Sequence, residues 1–196
     1  MTADVSIRPA RKSDASDIAL LVNIATHGGI AQGWANREEA AGTYDPIEVG
    51  RQQVLADDET INWRNATMAE IDGEVAGMLL GYPEPEDGRS LPDDIPAFLL
   101  PLYELEAEAA GHWFISMLGV YVPWRSHGVG SKLLEIAEGK RLDTGRRGLA
   151  LISDDTNEAA RRLYERRGFK VTSTRPKVKF PQGGPQGKDW LLMVKE

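Results

Sequence analysis

Residues 120–134, V-Y-V-P-W-R-S-H-G-V-G-S-K-L-L, set Gly128 and Gly130 between an apolar run and an amphipathic one. If a strand ends there and a helix begins, the helix start presents unpaired backbone N–H groups, and its dipole contributes about half a positive charge. Glycine lets such a turn approach a phosphate closely, and Arg125 and Lys132 add side-chain charge. The chemistry is anion binding. By themselves, two glycines fit an ordinary strand-to-helix turn better.

Three phosphate or nucleophile motifs fail on these residues. The dinucleotide fingerprint G-x-G-x-x-G needs a third glycine where Leu133 stands. A P-loop needs Gly-Lys-Ser/Thr, and the order here is Gly130-Ser131-Lys132. The nucleophile elbow G-x-S-x-G is absent from the chain. His27, His112 and His127 show no metal-ligand spacing, so no zinc site is expected. His112 reads as a surface or satisfied histidine, and His127 matters in the turn for its backbone N–H.

The elements around this turn follow from pattern. Val5–Arg8 reads as a strand, and Ser13-Asp14 caps a helix to Ala25 whose apolar stripe is Ile18, Leu21, Val22 and Ala25. His27 to Trp34 reads as a glycine-rich loop, and Asp45-Pro46 opens a helix ending near Ala56. Ala66–Ile71 and Glu74–Tyr82 form a hairpin across Asp72-Gly73. Residues 83–101 hold five of the 11 prolines, which predicts an irregular excursion before a helix at 99–110. After Gly111 the chain alternates: strand 113–122, helix 129–142, strand 148–152, helix 156–167, then strands 169–173 and 189–194 around a Gly/Pro-rich loop. That order predicts an α/β sheet with at least one parallel pair.

Composition bounds the class. The 196 residues are 41% hydrophobic and 27% charged, which predicts a single domain over 1–196 able to bury roughly 70% of its unfolded surface. No apolar run approaches the ~18 residues of a membrane helix, and the charged N-terminus lacks a signal-peptide stretch. Zero cysteine excludes disulfides and thiolate chemistry and fits a cytoplasmic protein. The net charge of −7 argues against nucleic acid as a partner.

The wider sequence resembles one family. R-S-H-G-V-G matches the R/Q-x-x-G-x-G/A element of the GNAT N-acetyltransferases, and M-L-G-V-Y-V upstream resembles their fourth strand. S-D-D-T-N-E-A-A-R-R-L-Y-E-R-R-G-F resembles their N-x-x-A-x-x-x-Y-x-x-x-G-F motif, and D-G-E-V-A-G-M-L-L-G their second and third strands. Pro123 stands one place later than the family usually puts it. The resemblance implies a mixed, mostly antiparallel sheet of six to seven strands, with a parallel β4–β5 pair splayed for acetyl-CoA. It also implies roles for individual residues. Leu118, Gly119 and Val120 would offer strand backbone to the pantetheine and acetyl carbonyl. Arg125, Ser126, His127, Gly128, Val129, Gly130 and Ser131 would surround the pyrophosphate. Asn157 would hold the pantetheine arm, and Tyr164, two helical turns on, would face the sulfur.

N-acetylation by direct attack needs a neutral amine, donors for the oxyanion and a proton for the leaving thiolate. The Val120 N–H fits the second need and Tyr164 the third, although packing beside Leu163 and Phe169 is an equal alternative from periodicity alone. The glutamate that some family members carry five residues before the asparagine is Ile152 here. Glu104 and Glu106 are the remaining base candidates; a solvated glutamate face fits each singly at least as well, and of the two Glu106 is preferred. Trp34 and Tyr44 are candidates for an acceptor pocket, although packing is their commoner fate. Arg161, Arg162, Arg166, Arg167 and Lys170 read as a solvated helix face, with some near the CoA 3′-phosphate.

Charge divides along the chain. Residues 1–110 carry 7 Lys/Arg against 21 Asp/Glu, and residues 111–196 carry 16 against 9. The basic half holds the acetyl-CoA motifs. The acidic half, with Arg89 as the only basic residue of 83–110, favours a cationic amine of a small molecule or peptide. A catalytically weak CoA-binding sensor and a longer-acyl transferase are the competing readings, and a homodimer is compatible with each.

Overall fold

The computed structural model describes residues 4–35, 45–57, 60–180 and 187–196. Seven strands form one sheet in the order β1-β2-β3-β4-β5-β7-β6. They are β1 (Ser6–Pro9), β2 (Ala66–Ile71), β3 (Glu74–Pro83), β4 (Trp113–Val120), β5 (Leu149–Asp154), β6 (Lys170–Pro176) and β7 (Asp189–Lys195). The helices are α1 (Ala15–Ala25), α2 (Gly29–Ala35), α3 (Pro46–Leu55), α4 (Leu100–Ala107), α5 (Val129–Asp143) and α6 (Glu158–Arg166). The chain forms two compact units, Met1–Leu80 with Met117–Glu135 and Gly81–Ser116 with Ile136–Glu196.

In the first unit, β1 pairs antiparallel with β2, and β2 with β3. Asp72 and Gly73 both take positive φ, 52° and 81°, as the two-residue hairpin turn requires. Asp45 caps α3 by accepting from the Ile47 N–H at 2.9 Å, with Pro46 at the first helical position. Arg8 ties the layer together, its guanidinium 2.6 Å from both Asp14 and Glu70. Ile18, Leu21 and Val22 of α1 are fully buried. α1 lies so close to β4 that a Cβ on Gly119 would stand 2.7 Å from the Leu21 carbonyl oxygen.

The expected loop from His27 to Trp34 is instead α2. His27 and Gly28, at φ 52° and 82°, end α1 and turn the chain. The helix then restarts despite Gly29 and Gly33, because Trp34 anchors it. Trp34 is 1% exposed and its indole N–H donates to Gln53 Oε1 at 2.6 Å. Gly50 makes room for the ring, since a Cβ there would sit 2.5 Å from it. Packing has overridden propensity.

In the second unit, β4 and β5 run parallel, paired from Trp113↔Leu149 to Ile115↔Leu151. β7 pairs antiparallel with both β5 and β6, leaving β6 at the edge. α4 packs on β5, β6 and β7, and Leu105 on its inner face is fully buried. Residues 83–99 form no helix or strand beyond the end of β3, as their prolines require.

Candidate active site

β4 ends at Val120, and the chain passes through a short 3-10 turn, Val122–Trp124, that Pro123 opens well. Ser126 and Gly128 take left-handed φ of 63° and 87°. The result is a row of donors. The backbone N–H groups of Ser126, His127, Gly128, Val129, Gly130 and Ser131 bond to no acceptor among the described residues. The next one, Lys132 N–H, donates to the Gly128 carbonyl at 3.0 Å and starts α5. Six consecutive donors without an internal acceptor at a helix N-terminus form an anion cradle. Arg125 donates from Nε to the Val120 carbonyl at 3.2 Å, which places its charge beside the end of β4. The His127 Nδ1 stands 2.8 Å from the Arg125 carbonyl.

Gly119 belongs to the same strand end. A Cβ on Gly77 of β3 would meet the Gly119 carbonyl oxygen at 2.7 Å, so β3 and β4 approach as two bare backbones. The Tyr121 N–H donates to the Ala76 carbonyl at 3.0 Å, and the Tyr121 hydroxyl to Asp17 at 2.7 Å.

α6 begins at Glu158, two residues later than the expected start at 156, because Asn157 is its cap. The Asn157 side-chain oxygen accepts from the Ala160 N–H at 3.3 Å. Tyr164 is buried, 5.9 Å from the Phe169 ring. Burial alone pushes its phenol up to about 12. Packing and acid chemistry are therefore both open to it. Of the expected basic face, Arg162 is exposed and pairs with Glu158.

The two base candidates separate in the second unit. Glu104 is 2.9 Å from Arg175 of β6, which also holds Glu108. Glu106 instead turns toward β3, where the Tyr82 hydroxyl donates to its Oε1 at 2.9 Å. Ser116 acts on Tyr82 in turn, pulling its phenol down against the effect of burial. Ser116 is the first residue of β4 past the last parallel pair with β5. Burial, with the nearby Glu84 carboxylate adding to it, lifts the Glu106 carboxyl to about 7 against the pull of Tyr82 and Arg89.

Tyr82, Glu84, Arg89 and Ser116 were not reached from sequence. No spacing joins them to Glu106, and only the Y-P-E-P run at 82–85 marks the place. Trp34 fills the core rather than a pocket wall, and Tyr44 lies outside the described residues. His112 is buried, with Nδ1 against the Ala109 and Ala110 carbonyls and Nε2 3.5 Å from a Glu196 carboxylate oxygen. Among the described residues, no group of three or more His, Asp or Glu is arranged for a metal, and no helix is long and apolar enough to cross a membrane.

Residues 34–169 match the acetyltransferase (GNAT) family. The chain belongs to that family. The fold of this GNAT acetyltransferase recurs in solved structures. A crystal structure of an acetyltransferase shares 24% identity over 97% of this chain and 98% of its own, with a TM-score of 0.64. An N-acetyltransferase from Staphylococcus aureus Mu50 gives 17%, 97%, 100% and 0.63 in the same order. Arabidopsis thaliana Naa50, in complex with the bisubstrate analogue CoA-Ac-MVNAL, gives 16%, 98%, 98% and 0.58. No curated protein matches the GNAT acetyltransferase by sequence.

Proposed function

We propose that this acetyltransferase, acting as one domain in the cytoplasm, transfers acetyl from acetyl-CoA to a cationic primary amine of a small molecule or peptide by direct attack in a ternary complex. The row of six unpaired N–H groups from Ser126 to Ser131 carries this reading. A pyrophosphate brings several anionic oxygens to one short turn, and this turn offers donors and dipole without any competing internal bond. The CoA-containing analogue held by Arabidopsis Naa50 is consistent with that ligand class.

When bound, acetyl-CoA supplies an activated acetyl thioester. The chain's residues then have separate tasks. Leu118, Gly119 and Val120 offer backbone to the pantetheine, and the Val120 N–H is the donor assigned to the carbonyl oxygen. Asn157 orients the arm from the start of α6. Tyr164 keeps its proton across neutral pH and gives it to sulfur as charge develops there.

Glu106 accepts the proton that the ammonium group must lose, directly or through water. A carboxyl near 7 is suited to this, because it is half ionised at working pH and basic enough to drive the transfer. The acidic balance of residues 1–110 favours a cationic acceptor.

The test is acetyl-CoA-dependent thiol release over polyamines, aminoglycosides, amino acids and peptide N-termini. Release with cationic amines is expected. Silence over the whole panel, with CoA binding retained by calorimetry, would replace this reading with that of a sensor.

A further inference from the structure

Glu84 directly follows β3, at the start of the proline-rich excursion, with 0% exposure. Arg89 Nε donates to its Oε2 at 2.7 Å and stands 3.9 Å from Glu106 Oε1. The same guanidinium lies 4.7 Å above the Tyr82 ring, so it is held in place from two sides. One cation thus stands between the buried Glu84 carboxyl and the half-buried Glu106 carboxyl.

The hydrogen-bond accounting is uneven. Glu84 Oε1 is buried and has no partner among the described residues. An orphan carboxylate oxygen in a dry site is costly. Glu106 Oε1 already accepts from Tyr82, which leaves Oε2 to carry a proton. A hydrogen bond between the Glu84 and Glu106 side chains favours the protonated form of Glu106.

We propose that Glu84 is a positioning residue for Glu106: the Arg89-bound Glu84 carboxylate shares the Glu106 proton, and so sets when Glu106 is free to accept one from substrate. The inference rests on the reading of Glu106 as the base. Two carboxyls in one buried site cannot both ionise easily, and one arginine cannot neutralise both. The Glu106 proton is therefore coupled to the Glu84 charge.

The groups acting on Glu106 are Tyr82 of β3 and, beyond it, Glu84 and Arg89. Three charged groups of the strands under α4 are engaged elsewhere. Arg175 of β6 pairs with Glu104 and Glu108, Asp154 of β5 with Lys177, and Lys195 of β7 with Glu138.

The experiment follows the Glu106 carboxyl directly, by 13C NMR titration of glutamate side chains, beside the pH profile of kcat/KM. Glu84→Gln removes the repelling charge and turns Arg89 toward Glu106, so both midpoints should fall by at least about one pH unit. Arg89→Met should raise them, and Glu84→Asp should return the midpoint toward wild type. Opposite shifts from two lesions of one ion pair are not what loss of packing produces. An unchanged NMR midpoint in Glu84→Gln overturns the inference, as do shifts of the same sign in both variants. If Glu84→Gln does not fold, the Arg89→Met titration decides alone. Should Glu106→Gln keep the acidic limb of kcat/KM, the base assignment falls, and the NMR titration still decides the role of Glu84.

Discussion

The Tyr82 hydroxyl donates to Glu106 Oε1 at 2.9 Å across 24 residues of sequence. The bond joins the end of a hairpin strand to a short helix beyond a proline-rich excursion. It aims one of three neighbouring glutamates on α4 inward, while Glu104 and Glu108 pair with Arg175. Burial raises the phenol of Tyr82 above the ordinary tyrosine range, with the Glu106 charge adding to it, so Tyr82 remains a donor at every working pH.

The pH profile follows from Glu106. A base must be ionised to act, and this carboxyl titrates at about 7. Below that, kcat/KM should fall roughly tenfold per pH unit. Glu106→Gln should abolish the limb and lower the rate by roughly a hundredfold or more. A limb near the ordinary carboxylate value would refute the assignment.

The same residue predicts a stability effect of opposite sign. Its folded-state value lies above the unfolded one, so between pH 4.5 and about 7 the native state holds more protons. Stability from this group is complete below the unfolded value and is lost as pH rises through the folded one. Glu106→Gln should therefore melt at a higher temperature than wild type at pH 8. Calorimetry across that window checks the sign.

Tyr164→Phe should lower kcat by roughly a hundredfold while acetyl-CoA binding, read by calorimetry, stays within about twofold. The ring packing against Phe169 is retained in that variant, so an unchanged kcat would leave Tyr164 a core aromatic only.

Asn157 has two tasks that substitution can part. Asn157→Ala should cost about 1 kcal/mol through the lost cap. Asn157→Asp keeps a capping oxygen but replaces an amide donor by a carboxylate. It should melt like wild type and bind acetyl-CoA several-fold more weakly. Equal binding by both proteins would remove Asn157 from the ligand site.

Gly128 tests the cradle. Its φ of 87° is unfavourable to a side chain, although a Cβ there would meet nothing within 4 Å. Gly128→Ala should thus act through backbone strain of about 1 kcal/mol, raising KM for acetyl-CoA roughly fivefold with kcat retained. A fall in kcat without change in KM would place the turn's role elsewhere.

The sequence alone carried the local features. Asp72-Gly73 dictates its turn because only a narrow set of residues accepts positive φ. Asp45-Pro46 dictates a helix start, and R-S-H-G-V-G its strand-to-helix turn, for equally local reasons. α2 was misread because Gly28, Gly29 and Gly33 look like a loop until Trp34 is seen locked between Gln53 and Gly50 of α3. The choice of Glu106 over Glu104 had the same character. Both sit in L-Y-E-L-E-A-E, and nothing in that run says which one meets Tyr82 and which meets Arg175.

What the sequence determined by itself was the order of elements, the family and the composition of the anion turn, all properties of neighbouring residues. Tertiary structure decided the chemistry of the proton. The basicity of Glu106 depends on burial and on Glu84 and Arg89, 22 and 17 residues away. Desolvation and charge proximity are properties of space, and only the folded chain brings those groups within reach.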